Sequence, residues 1–205
     1  MNLSLLDQFG NIDIYVFDQL LRGRIAPGMR VFDAGCGGGR NLVYLLRQGY
    51  EVCGNDVDAN AIAHVRSMAA AAASARRPAT PSDFRVEPIE DTSFADAHAD
   101  VVIASAVLHF ARDAAHFDAM VRQMWRVLKP GGMFFARLAS TIGIADEVRP
   151  LGGGRYHLPD GSERFLVDAA TIEDWTKRLG GELLDPIKTT VVHGQRSMTT
   201  WVARK

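Results

Sequence analysis

Cysteine is scarce in this chain, and so are the patterns that would send it to a membrane, a nucleic acid or a metal. Only Cys36 and Cys53 occur among 205 residues, with neither metal-ligand spacing nor a histidine cluster nearby, so no metal site and no disulfide framework is expected. Both read as small buried fillers in a reducing compartment. No apolar run approaches the ~18 residues that span a bilayer, so no membrane partner is expected. The formal net charge is -1, and the lysines and arginines are scattered rather than gathered into a stripe, so nucleic acid is not an expected partner either. The opening stretch Met1 to Tyr15 carries acids and no basic segment, unlike a secretory or transit peptide, and the expected location is cytoplasmic.

What is present is an ordinary globular composition, 47% hydrophobic and 23% charged, in a length that suits one domain with one core over residues 1–205. The organising stretch is Val31 to Leu46, VFDAGCGGGRNLVYLL. Val31, Phe32 and Asp33 read as a short buried strand ending in an acid, Ala34 to Gly39 as a glycine turn, and Leu42, Leu45 and Leu46 as the apolar repeat of a helix. Glycines let a ligand approach the backbone, and the N–H groups that open a helix favour an anion, so the stretch predicts a nucleotide cradle. A dinucleotide fingerprint would need a third glycine where Arg40 stands. Asp56 ends the next strand, Tyr50 to Asn55, where a β-α-β unit places a carboxylate on ribose hydroxyls. Its other reading is a turn acid, with Asp58 and Asn60 as rival helix caps.

The turn resembles the D-x-G-x-G-x-G turn of class I S-adenosylmethionine (SAM)-dependent methyltransferases, in the small-molecule, type 11 style. The resemblance runs from about Val31 to the C-terminus. It implies that Asp33 orients the methionine end of SAM, that Gly35, Cys36 and Gly37 give it room beside Arg40, and that Asp56 and Val57 meet the ribose and an adenine face. Glu87 to Phe94 resembles the family's G-D-A-E-D-L-P-F segment, whose acid and following amide read the adenine edge. Pro88 replaces that acid, which leaves the role to the Ile89 amide and Glu90. Ser105 to Phe110 is similar to the segment that meets the SAM amino group, and Val127 to Gly132 to the L-K-P-G-G turn before strand five. Arg40-Asn41 resembles the C-G-x-G-R-N turn of tellurite-type methyltransferases, which brings a small oxyanion or thiol into consideration as acceptor.

Residues 1–24 read as a cap of two short helices, with Leu3, Leu6 and Phe9 before a break at Gly10-Asn11 and Ile14, Phe17 and Leu20 after it. Asp13 or Tyr15 could touch cofactor or substrate, or the pair could simply pack on the sheet. A helix over Asn60 to Ala73 trails into an Arg76-to-Ser82 loop, followed by strands at Phe84 to Val86 and Asp100 to Ser105. The stripe Phe117, Met120, Val121, Met124, Trp125, Leu128 marks a core helix capped by Asp113. Strand five spans Met133 to Leu138. Residues 139–167 are an excursion with a hairpin, Arg155 to Leu158 facing Arg164 to Val167, which is either an acceptor lid or an edge hairpin extending the sheet or making a dimer contact. Asp168 caps a helix to Leu179, and Leu183 to Val192 pairs with Ser197 to Ala203. The expected fold is α/β, a doubly wound Rossmann-like seven-stranded sheet, mostly parallel with an antiparallel last strand.

Methyl transfer from SAM is an in-line displacement that asks the protein chiefly for alignment at ~3–3.5 Å. A thiolate acceptor needs no base; a hydroxyl or amine does, and His109 is best placed to take that proton. Tyr15 and Arg137 are expected on the substrate. The expected protein is therefore a SAM-dependent methyltransferase for a small-molecule acceptor, working as monomer or homodimer. Two other readings stay open: a protein that holds SAM or its product S-adenosylhomocysteine (SAH) without turnover, suggested by Pro88, and an NAD(P)-dependent oxidoreductase, disfavoured by Arg40 and the antiparallel ending.

Overall fold

Alternating apolar residues make the central strands two-faced, and the computed structural model, which describes residues 4–75 and 82–205, covers both faces with helices. Leu3 and residues 76–81 of the predicted loop lie outside the described residues. Helices α1 (Leu5–Phe9) and α2 (Ile14–Leu21) precede β1 (Arg30–Ala34). Then come α3 (Val43–Gln48), β2 (Glu51–Asp56), α4 (Ala59–Ala75), β3 (Asp83–Val86), β4 (Ala99–Ser105), α5 (Ala114–Val127) and β5 (Leu128–Ala139). On β1, β4 and β5 the residues Phe32, Val102 and Phe134 share a core with Phe117, Met120 and Met124 of α5. Their neighbours Val31, Ile103 and Phe135 share a second core with Leu45 of α3 and Ile62 and Val65 of α4. That period-two division between two helical layers makes the sheet doubly wound.

After β5 come β6 (Arg149–Gly152), β7 (Arg155–His157), β8 (Glu163–Phe165), α6 (Ala169–Arg178), β9 (Glu182–Leu183), β10 (Lys188–Val192) and β11 (Arg196–Arg204). The main sheet runs β10-β11-β5-β4-β1-β2-β3, with β9 also on β11, so it has eight strands where seven were expected. Strand β11 is antiparallel to both β5 and β10, the expected ending. The extra strand arises because the predicted run Leu183 to Val192 is interrupted at Asp185-Pro186. There Asp185 turns inward to Arg24 at 3.0 Å and Arg22 at 3.3 Å.

Other boundaries shift for local reasons. The helix after the glycine turn starts only at Val43, since Gly39 and Leu42 N–H groups are spent inside the turn on Cys36 and Gly39 carbonyls. Strand β5 begins at Leu128, so Lys129 to Gly132 lie within it as an irregular start: Leu128 pairs with Ala99, and the register slips before Met133 meets Val101. Gly132 is required there, because a Cβ would stand 2.8 Å from the Asp100 carbonyl. The hairpin does not extend the main sheet; β6, β7 and β8 form a small sheet of their own. Its pairs run Arg155 with Phe165 to His157 with Glu163, one to two residues short of the predicted strands.

Candidate active site

Strand order reverses at β1, whose neighbours are β2 and β4, and an open α/β sheet binds ligands at the carboxyl ends on such a switch point. Two cavities lie there, of about 550 Å³ and 420 Å³, and they share Gly35, Ala106 and Val107 as a common wall. Gly35 has φ +67° and sits where a Cβ would meet Val107 at 2.8 Å; Gly37 has φ +50° and open space where its Cβ would be. The glycine turn itself lines these cavities, and α3, expected to begin directly after the turn, begins only at Val43, three residues after Arg40.

The smaller cavity has an apolar lining of Val57, Pro88, Ile89, Val107 and Met120, with Asp56 and Glu90 at its edge. Asp56 Oδ2 accepts from the Gly37 N–H at 2.9 Å and Oδ1 from the Asp58 N–H at 2.9 Å. Asp58, not Asp56, caps α4, accepting from Asn60 and Ala61. Glu90 Oε1 lies 2.9 Å from His116 Nε2 and 3.7 Å from Arg112, so its carboxylate already faces two basic groups. Glu87 is turned away into its own loop, accepting from Thr92 and Ser93.

At the larger cavity, the residues predicted from distant parts of the chain meet. Asp13, capping α2, has a fully buried side chain; Oδ2 accepts from Ser105 Oγ at 3.0 Å and Arg137 Nη1 at 3.0 Å, with Arg40 Nη2 at 3.6 Å. Arg40 also donates to Ser105 Oγ at 2.8 Å, and Asn41 Oδ1 accepts the Asp13 N–H. Arg137 lies over the Tyr15 ring, 5.3 Å from its centre, and the Tyr15 hydroxyl is bonded to Thr190 at 2.7 Å. Tyr15 is thus a strut between α2 and β10, while Arg137 lines the cavity.

Among the described residues several buried polar atoms lack a hydrogen-bond partner, Arg137 Nε and Thr200 Oγ1 among them, and two belong to titratable groups singled out from the sequence. Asp33 is 1% exposed, and its Oδ2 has no hydrogen-bond partner. Burial pushes its carboxyl up to about 7, against the pull of the Arg40 charge. His109 is buried with Nδ1 unpartnered; burial, then the Arg164 and Arg137 charges, push its pKa down to about 4. At neutral pH it is an uncharged imidazole. Cys36 lines the cavity as a thiol whose pKa burial raises, so it is inert filler rather than a nucleophile. Sequence reasoning missed Arg196 on the larger cavity and Met120, Arg112 and His116 by the apolar slot; Asp160 and Arg164 fell within the 139–167 excursion read as a possible acceptor lid but were not singled out as site residues. Met120 lies on a helix stripe already identified.

The fold and the paired cavities define a Rossmann-like nucleotide-binding α/β protein. A family profile described as a methyltransferase domain matches residues 32–136, and the chain belongs to that family, the class I SAM-dependent methyltransferases. It is 33% identical over 111 residues to an uncharacterised methyltransferase of Synechocystis, covering 54% of this chain and 47% of that protein. It is 29% identical over 187 residues to a ubiquinone biosynthesis O-methyltransferase of Mesorhizobium japonicum, covering 87% of this chain and 68% of that one. The chain thus spans about half to two thirds of the length of these relatives. Among solved structures, a SAM-dependent methyltransferase from Methanosarcina mazei matches with a TM-score of 0.71 at 19% identity, over 91% of this chain and 96% of that chain.

Proposed function

We propose that the chain binds SAM across the two cavities and transfers its methyl group to a small-molecule acceptor. The observation that carries this reading is the buried Asp33 Oδ2 at the head of the glycine turn: an acceptor with no donor among the described residues fits a cationic amino group brought by a ligand. The rest of the donor set agrees. Asp56 suits the ribose hydroxyls, Val57 and Ile89 the adenine faces, and Gly35, Cys36, Gly37 and Arg40 the methionine end beside Ser105. Glu90 and the Ile89 amide stand at the adenine edge. When bound, SAM supplies an activated methyl group and its own leaving group.

The protein's own part is alignment and exclusion of water. Residues 5–21 cap the site through Asp13, and residues 139–167 wall the acceptor side. Arg137, lining the larger cavity over the Tyr15 ring, is on hand for the acceptor. The relative named for O-methylation makes a hydroxyl the first acceptor atom to screen, and His109, uncharged with a free Nδ1, is the group that would take its proton. Pro88, in place of the family's acid, favours a second reading, binding without turnover, which retained SAM binding with no product across an acceptor panel would support.

Calorimetric titration of wild type and Asp56→Ala with SAM, SAH and NAD(P)H tests the cofactor. Saturable SAM and SAH binding, weakened about tenfold or more in the variant, is expected. Absence of SAM binding by folded wild type overturns the proposal, and nicotinamide binding in its place would favour an oxidoreductase.

A further inference from the structure

Resting on that reading, we propose that the methyl acceptor is an organic anion, gripped through a carboxylate or phosphate group by Arg164 and Arg196. Both line the larger cavity, on the wall made by β8 and the start of β11. Of the four arginines that line this cavity, Arg40 and Arg137 are answered by a carboxylate, that of Asp13. Arg164 and Arg196 enter no salt bridge among the described residues. Arg164 spends one N–H on the Glu163 carbonyl and lies over the Phe110 ring, 5.0 Å from its centre.

The charge balance of the cavity points the same way. Arg40, Arg137, Arg164 and Arg196 line it, against the carboxylates of Asp160 and, just behind, Asp13. Asp13 is shared by Arg40 and Arg137, and Asp160, which accepts the N–H and the hydroxyl of Ser162, feels the charges of both Arg164 and Arg196, so each pair of arginines has one carboxylate between them. Two positive charges are left uncompensated. SAM cannot cancel them: it carries one carboxylate against an ammonium and a sulfonium. The missing anion must come from the second substrate, and guanidinium forks fit a carboxylate or phosphate in a way no neutral acceptor repays.

The backbone that carries both arginines is anchored by their neighbours. Next to Arg164, Phe165 is buried and stacked on Phe117 with ring centres 4.7 Å apart; next to Arg196, Ser197 is buried and donates to the Ile142 carbonyl. Leu158, Val107 and Met198 add an apolar strip to the same cavity, room for an aromatic or aliphatic body behind the anionic group. An anion on Arg164 also offsets one of the charges that hold the His109 pKa down, so His109 becomes a better proton acceptor when the acceptor is in place.

The test is calorimetry on SAH-loaded wild type, Arg164→Gln and Arg196→Gln with three probes: benzoate, phenyl phosphate and the neutral methyl benzoate. Expected is binding of one of the anions, about tenfold weaker or more in each variant, with SAH affinity unchanged. Which anion binds identifies carboxylate or phosphate. The proposal is overturned if the ester binds as well as the anions, if neither variant weakens the anion, or if SAH-loaded wild type takes up neither anion. Loss of SAH binding in wild type would instead remove the cofactor reading, and this proposal with it.

Discussion

A carboxyl that keeps its proton until about pH 7, at the head of the glycine turn, and an imidazole that refuses one until about pH 4, on the larger cavity, pull stability in opposite directions. The Asp33 pKa is raised from its ordinary value of 3.8, so the folded state holds the extra proton and stability falls as pH rises from about 4 to about 7. His109 is lowered from 6.5, so its contribution is intact above that pH and is lost as pH falls toward about 4. Replacing Asp33 with Asn removes the first slope alone. Urea denaturation at a series of pH values should then find the variant gaining on wild type between pH 4 and 7, by about 1.4 kcal/mol per unit at most; parallel curves would mean the carboxyl is paired in solution. The same carboxyl predicts proton release: a ligand ammonium beside Asp33 restores its charge, so SAH binding near pH 6 should give calorimetric heats that depend on the buffer's ionisation enthalpy. Equal heats in phosphate and Tris would argue against that contact.

Asp33 and Asp56 were legible from sequence because a glycine turn and a β-α-β unit place them by local rules. Asp13, Arg164 and Arg196 obey no such rule. Asp13 meets Ser105 and Arg137 across 92 and 124 residues of chain, a juxtaposition that only the finished sheet creates.

Among the elements, α2 depends most on one residue. Asp13 caps it through the Tyr15 N–H and also compensates Arg137 beneath it. Asp13→Ala removes the cap and leaves the part-buried Arg137 without its carboxylate, so a loss of roughly 2 kcal/mol is expected in urea denaturation, with new proteolytic cleavage around residues 10–24. A loss below about 1 kcal/mol would mean that the cap alone matters. Elements with strong local signals were readable: Asp113 and Asp168 cap α5 and α6 as their sequences announce, and Gly49 ends α3 in the left-handed region. Strands β6 and β9 were not. Pro150 and Gly152 obscure the first, and the second is two residues long, cut from β10 where Pro186 could have marked the break.

For the whole molecule, the class of fold followed from an alternation of apolar strands and capped helices that survives any error of a residue or two at the boundaries. Its stability should respond as one unit to the cofactor. SAH at a hundredfold excess over its dissociation constant adds about 2.7 kcal/mol, which in a chain of this size raises the melting temperature by about 5–10 °C. A melt unmoved by saturating SAH would count against binding to the folded form.

The bonds of α2 to the last strands have a further meaning in time. Tyr15 reaches Thr190, and Arg22 and Gln19 reach Asp185, across 163 to 175 residues. At about 5–20 residues per second, the ribosome makes the cap on the order of ten seconds or more before it makes what the cap fastens to. The glycine turn and β1 emerge early, but their roof is latched only once β10 is out. The completed pocket is therefore a property of a chain made at least as far as β10, and α2 finds its place long after it is made.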